Sequence, residues 1–269
     1  MSDIRQSRSY ATYLQATGWK ICSHQGSYYF IKKIPLIGSF LKVQRIHTID
    51  WEYLGKTQKR YRVFQTVIEP LDDSLIPLLT SRGYRQTSPF VPSKTLVISL
   101  SHSLSTIKSA LHKDARRTTA KPAPAMRTYS LHELSDFQKA WKKAAKNKEV
   151  LSVKKLEALF TAFPHSLFII SSDNESGAIF LIANKTAYYW KGFTSPLGRK
   201  KLHQYHIVWY GIMWAKESGA TMFDFEGVFD DRFPIAAWKG FTHFKESFGG
   251  QATFFPGAYQ KLRLPLPTK

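Results

Sequence analysis

The chain is expected to be α/β in the α+β sense, with mixed sheets flanked by helices. Three observations predict this. Apolar residues make up 43% and aromatics 14% of the 269 residues, enough for a sizeable core. Short runs rich in β-branched and aromatic residues alternate with longer stretches of helical period. Its most apolar stretch, residues 167–183, is broken by SSDNESG, so it reads as two strands and a turn rather than a span of about 20 apolar residues.

In the first third, SYYFIKKIPLIG and SFLKVQRI pair as strands with Gly38 near their turn. YRVFQTVIEP is a strand ended by Pro70, which lacks a ladder N–H. SLIPLLTSRGY is a short helix or turn closed by Gly83. TSPFVPSK, with Pro89 and Pro92, is the expected connector to a second lobe.

From Thr95 the pattern is denser. TLVISL is a strand, and a basic helix is expected over 103–120, capped by Ser103 with Ile107, Ala110 and Leu111 as its apolar stripe. KPAPA ends it and MRTYS is a short strand. HELSDFQKAWKKAAKNK and SVKKLEALFTAF are helices, followed by the strands SLFIISS, GAIFLIAN and AYYWKGFT. KLHQYHIVWYGIMWAKESG is a strong helix stopped by Gly219. TMFDFEGV is a strand with embedded acids, AAWKGFTHFKESFGG a helix stopped by Gly249 and Gly250, and ATFFP a last strand. The expected domains are 1–94, 95–250, and a strand and tail at 251–269 that packs back on the first. The order from Thr95 resembles the GNAT acyltransferase fold.

Charge gives the first functional clue. The chain carries 39 Lys and Arg against 19 Asp and Glu, a formal net charge of +20. Such a field attracts polyanions: nucleic acid, anionic headgroups or a phosphorylated substrate. The apolar content excludes a disordered basic tail. Cys22 is the only cysteine, so no intrachain disulfide and no Cys-based zinc site is expected. His203 and His206 share a helix face without a further ligand at metal spacing, so no metal is expected. MSDIRQSRSY lacks an apolar secretory core, and a cytoplasmic protein is expected.

Phosphate-loop, dinucleotide and nucleophile-elbow motifs are absent. The informative region is the last third. Asp224 and Glu226 stand two apart on a strand, so both are expected on one face. They either position a cation or amine or pair with nearby basic residues. Asp230 and Asp231 follow in a loop. Phe241, Phe244 and Phe248 form a stripe read as core. Lys245 sits beside that stripe. On spacing alone it reads as a snorkelling surface lysine, and the functional alternative is a stabiliser of an oxyanion or phosphate.

FDFEGV, an acidic loop and WKGFTHFKESFGG together resemble the terminal signature of the Fem (FemABX) peptidyltransferases. AYYWKGFTS, YLQATGW, IKKIPLIGSFLKVQRI, FQTVIEP and LSTIKSALHKDARRTTAKPA resemble its other segments in order. The resemblance implies two GNAT-like acyltransferase lobes, the first reduced. It implies transfer of an amino acid from aminoacyl-tRNA to an amine of a peptidoglycan-precursor side chain, building interpeptide bridges, without a cofactor. Lys245 matches the lysine that stabilises the tetrahedral intermediate, and Glu69 the acid near the attacking amine. Phe244 matches the aromatic near the tRNA acceptor end. Lys20, Lys32 and Lys33 fall where the first lobe meets precursor phosphates. Tyr189, Lys191, Lys155, Asp224 and Glu226 are the further substrate-binding candidates, with Leu151 and Lys155 replacing the family's Arg and Tyr. Lys113, Arg116 and Arg117 are the tRNA-binding candidates. The implied partners are aminoacyl-tRNA and a nucleotide- or lipid-linked muropeptide, met by a monomer at the inner face of an anionic membrane. Two other readings stay open: an acyl-CoA N-acyltransferase, against which PLGRKKLH lacks the Q/R-x-x-G-x-G/A turn, and a non-catalytic RNA-binding module.

Overall fold

The computed structural model describes residues 3–145 and 150–263. In chain order the elements are α1 (Arg8–Ala16), β1 (Lys20–His24), β2 (Ser27–Ile34), β3 (Gly38–Ile46), α2 (Trp51–Arg60), β4 (Val63–Pro70), α3 (Ile76–Ser81) and β5 (Arg85–Thr87). There follow β6 (Lys94–Ser99), α4 (Leu104–Ser109), α5 (Lys113–Ala120), β7 (Met126–Thr128), α6 (Leu134–Ala145), α7 (Val153–Ala162), β8 (Leu167–Ser172), β9 (Ser176–Ala183) and β10 (Thr186–Thr194). The last are α8 (Pro196–Lys200), α9 (His203–Glu217), β11 (Met222–Gly227), α10 (Lys239–Glu246), β12 (Gln251–Phe254) and β13 (Ala258–Leu262).

The chain divides into two compact units. One comprises residues up to 94 with 230–234 and the segment from 254; the other comprises 95–229 and 235–253. Each is built on one mixed sheet.

The first unit's sheet has the order β1-β2-β3-β4-β13-β5 among the described residues. β3 and β4 run parallel, joined by α2, and the other pairs are antiparallel. α2 begins where the Asp50 carboxylate accepts from the Tyr53 amide (2.9 Å), and it ends in Lys59 and Arg60, as the helix dipole favours. Ser7 caps α1 in the same way through the Tyr10 amide. One sheet face buries Tyr29, Ile31, Leu41, Val43 and Ile68 in the unit's core. Alternation sends Phe30, Lys32, Phe40, Lys42, Gln44 and Glu69 to the opposite face, because Phe30 is paired with Lys42, Lys32 with Phe40 and Gln44 with Glu69.

The second unit's sheet has the order β12-β6-β11-β10-β9-β8-β7. β10 and β11 are parallel, and β6 is antiparallel to β11. Phe180, Ile207, Ile212, Phe223, Phe225 and Phe248 fill the core. α9 lies on this sheet through Gly211, where an added Cβ would stand 2.4 Å from the Phe180 ring. Gly219, at φ +79°, supplies the left-handed stop expected of it.

Several expectations are corrected. The basic helix of 103–120 is two helices, α4 and α5, because the chain breaks at 110–112. There the His112 amide donates to the Ser247 carbonyl (2.9 Å) instead of continuing the helix. The final helix is shorter than 236–250: a 3-10 turn at Ala236–Trp238 precedes α10. The end of the helix expected through residue 148 lies outside the described residues. α1, α2, β1, β5, α8 and β13 are elements that the pattern did not announce.

Candidate active site

β10 and β11 pair only over Thr186–Tyr188 and Met222–Asp224. Beyond that point each strand carries an irregularity: β10 between Tyr189 and Lys191, β11 between Asp224 and Gly227. The second is a bulge centred on Glu226, which adopts φ +58°. A glutamate there costs about 1 kcal/mol or more, so something must hold it. The Asp224 carboxylate does so, accepting from the Glu226 amide (2.6 Å). Thr95 Oγ1 lies against both that carboxylate and the Glu226 carbonyl, and its one proton serves one of them.

The bulge turns the carbonyls of Phe225 and Gly227 toward α10, and Lys245 fills the space. Its Nζ donates to both oxygens at 2.7 Å. The residue is 8% exposed. Its ammonium lies 4.9 Å from the Phe241 ring centroid and 5.4 Å from that of Tyr189. Burial lowers the Lys245 pKa to about 8, the Glu226 and Asp224 charges oppose that shift, and Lys191 adds to it. The surface reading of Lys245 is therefore corrected: this lysine is enclosed and hydrogen-bonded, with one N–H left after its two carbonyl bonds.

The neighbours sort accordingly. Tyr189 is buried, its hydroxyl accepts from Gln204 (2.7 Å), and burial raises its pKa. Phe244 is half-buried, its ring 4.9 Å from Tyr205 and 5.4 Å from Phe248. The expected core stripe holds only in part: Phe248 is inside, whereas Phe241 is exposed and faces the lysine. Asp224 and Glu226 do share a face, yet Asp224 serves the backbone of the bulge. Lys191 and Lys155 are exposed, the latter in the first turn of α7. Lys113, Arg116 and Arg117 are exposed along α5. The His112–Ser247 bond joins the start of that helix to the end of the FKES segment, so the basic surface begins two residues from Lys245.

The first unit carries its own cluster. Glu69 is 0% exposed. Its carboxylate accepts from Gln44 (2.6 Å) and from the Phe90 and Val91 amides (2.8 and 2.9 Å), so in this geometry it anchors the 90–91 loop. An amine reaches it only if that loop opens. Lys32 is half-buried and donates to the Gly18 and Thr17 carbonyls (2.9 and 3.3 Å), while Lys20 and Lys33 are exposed. Strand alternation puts Lys33 on the other face from Lys32. The residue that does share the Lys32 face is Lys42, which the sequence reading did not single out. Its ammonium lies 4.6 Å from the Trp19 ring centroid and 5.7 Å from that of Phe30. Burial lowers the Lys42 pKa to about 8, Glu69 opposes the shift and Arg5 adds to it.

The loop acids divide. Asp230 is buried, bonded to Ser93 (2.6 Å) and to the Arg232 guanidinium (2.8 Å). Burial pushes its pKa up, but the Arg232 and Ser93 bonds win and the net shift is downward. Asp231 is exposed. Among the described residues no cluster of three metal-ligating side chains occurs, and no helix is long and apolar enough to cross a membrane.

The crystal structure of FemX superposes with a TM-score of 0.78 at 16% identity, covering 97% of this chain and 92% of that one. L-PGS from Bacillus licheniformis follows at 0.59 and 14%, over 96% and 87%. The chain thus has the Fem-type GNAT-like fold. Lipid II:glycine glycyltransferase of Staphylococcus aureus is 31% identical over 110 residues, which is 41% of this chain. That match spans 24% of the relative's own length. No family model matches.

Proposed function

We propose that the chain is an aminoacyltransferase. It moves an amino acid from aminoacyl-tRNA to an amine on the side chain of a peptidoglycan precursor, nucleotide- or lipid-linked. The observation that carries this reading is Lys245, an enclosed ammonium with a free N–H at the point where two parallel strands part. The Fem-type fold and the partial likeness to a lipid II:glycine glycyltransferase support it.

The chemistry asks little of the protein. An aminoacyl ester is already activated, so the acceptor amine attacks its carbonyl carbon directly: C–N forms as the carbonyl π bond opens to an oxyanion, and collapse of that tetrahedral intermediate breaks the ribose C–O bond, the proton that the amine loses ending on the leaving ribose oxygen. Lys245 holds the oxyanion of the tetrahedral intermediate with its remaining N–H. The enclosure strengthens that bond, because a low-dielectric site screens it less than water does. Phe244 and the exposed arginines and lysine of α5 hold the acceptor end and backbone of the tRNA. Lys32 holds a precursor phosphate, with Lys155 and Lys191 as further contacts. The same reading gives Glu69 the amine's proton once the 90–91 loop releases its carboxylate. The site is cytoplasmic on this account, and the protein works as a monomer without a cofactor.

The test incubates the purified protein with labelled aminoacyl-tRNAs and both precursor forms. Stable amide product, lost in Lys245→Ala with the fold intact, supports the reading. No transfer to any precursor together with tight acetyl-CoA binding overturns it in favour of a CoA-dependent acyltransferase. Glu69→Gln separates the proton step: an unchanged rate leaves Glu69 only the loop to hold.

A further inference from the structure

We propose that the β2–β3 hairpin tip is a membrane-docking element that inserts into a bilayer carrying anionic headgroups. The tip is Pro35-Leu36-Ile37. Leu36 is 108% exposed and Ile37 53%, and Pro35 is also exposed. Leu36 is the most exposed of the large apolar side chains among the described residues.

Backbone conformation makes this more than a stray leucine. Leu36 is held at φ +66°, in the left-handed region where glycine or asparagine sits at less cost. A turn that needed only to reverse the chain has no use for leucine there. The backbone around the tip is fixed: the Ile37 amide donates to the Ile34 carbonyl (3.3 Å), and the Ser39 amide donates to the Arg62 carbonyl (3.0 Å). An added Cβ on Gly38 would stand 2.5 Å from that same Arg62 oxygen. The tip is therefore braced against the turn that follows α2, and its apolar side chains are presented on a rigid support.

Charge says what covers it. That brace brings the 59–62 turn beside the hairpin, and Lys59, Arg60 and Arg62 are all exposed, as is Lys33 on the hairpin itself. No Asp or Glu occurs from residue 4 to residue 49, nor from 53 to 68. An apolar wedge with exposed cations on its own hairpin and on the 59–62 turn that braces it, and no acid in either segment, matches an anionic lipid surface: the tip enters the acyl boundary and the cations meet the headgroups. One small wedge binds weakly by itself, so the apolar and electrostatic parts are needed together. A protein partner with an apolar pocket has no such call for an uninterrupted basic surround. The proposal does not rest on the transferase reading.

The experiment is co-sedimentation of the full chain with vesicles of phosphatidylcholine alone or mixed with phosphatidylglycerol, alongside its elution on a sizing column. Binding to the mixed vesicles only is expected. Leu36→Asp or Ile37→Asp, each with an unchanged thermal midpoint, is expected to weaken it by about tenfold or more, and Lys33→Glu to weaken it in a salt-dependent way. A polarity-sensitive dye on Leu36→Cys, in a Cys22→Ser background, is expected to shift to the blue on anionic vesicles. Equal binding by wild type and Leu36→Asp overturns the proposal, as does a dye signal that stays aqueous. A dimer in solution that Leu36→Asp dissolves, without vesicle binding, overturns it in favour of a second copy.

Discussion

The Asp224 carboxylate accepts the amide proton of Glu226 at 2.6 Å, and that bond holds the bulge on which Lys245 depends. The two carbonyls that grip the lysine flank Glu226 on either side. The tether offsets part of the cost of φ +58° for a glutamate. Asp224→Ala is therefore expected to cost about 1–3 kcal/mol of stability by leaving the amide unsatisfied. Denaturant titration of the variant checks it.

Glu226 itself has two separable parts. Glu226→Gly keeps the left-handed backbone at no conformational cost, so the bulge is expected to survive. Its charge is lost, and with it a force that holds the Lys245 pKa up. Glu226→Gly and Glu226→Gln are both expected to move that pKa further down from about 8. NMR titration of the lysine ammonium reads the shift.

Both enclosed lysines make stability depend on pH. Burial lowers the Lys245 and Lys42 pKa values from 10.5 to about 8 in the folded chain. The unfolded chain thus binds more protons between these values, and stability rises with pH across that window. Below about 8 the cost of burying both charges is fully present. Unfolding measured from pH 8 to 10 is expected to show this rise, and Lys245→Met with Lys42→Met to flatten it. Above 10 the raised Tyr29 pKa acts in the opposite sense, since the folded tyrosine keeps its proton longer.

On the transfer reaction, Lys245→Met is expected to lower the single-turnover rate by about 100- to 1,000-fold, the usual loss of an oxyanion donor. Binding of charged tRNA is expected to persist, because the basic face of α5 is untouched. Replacing Lys113, Arg116 and Arg117 by alanine is expected to do the reverse: weaker tRNA binding and a shallower salt dependence, about 0.7–0.9 of slope lost per contact. Filter binding across a salt series separates the two.

Gly211 offers a check on packing alone. Alanine suits a helix better than glycine, yet its Cβ would meet the Phe180 ring at 2.4 Å. Overpacking is expected to win, at about 1–3 kcal/mol. A raised melting temperature for Gly211→Ala would contradict the close approach of α9 to its sheet.

What the sequence disclosed follows from which interactions are local. β8, β9, β10 and α9 were legible because their apolar periods are long and their stops are glycines or turn residues. α2 was hidden: Gly55 stands mid-helix and the outer face is polar, which blurs the period. β13 was hidden because AYQKL is short and its partners are distant, as the Gln65–Gln260 bond across 195 residues shows. The resemblance pointed to Lys245, but its enclosure depends on a left-handed glutamate, and no pattern of residue types encodes that conformation. Lys42 escaped notice because the aromatic ring nearest it belongs to Trp19, on another segment.

The placement of β13 between β4 and β5 bears on how the chain is made. As it leaves the ribosome, β1 to β4 emerge early, yet the gap beside β4 stays open until residues near 260 are synthesised. All of 95–229 is produced in that interval. The unit that starts first therefore closes last, and β4 waits meanwhile as an unpaired edge, the kind that invites aggregation during slow translation.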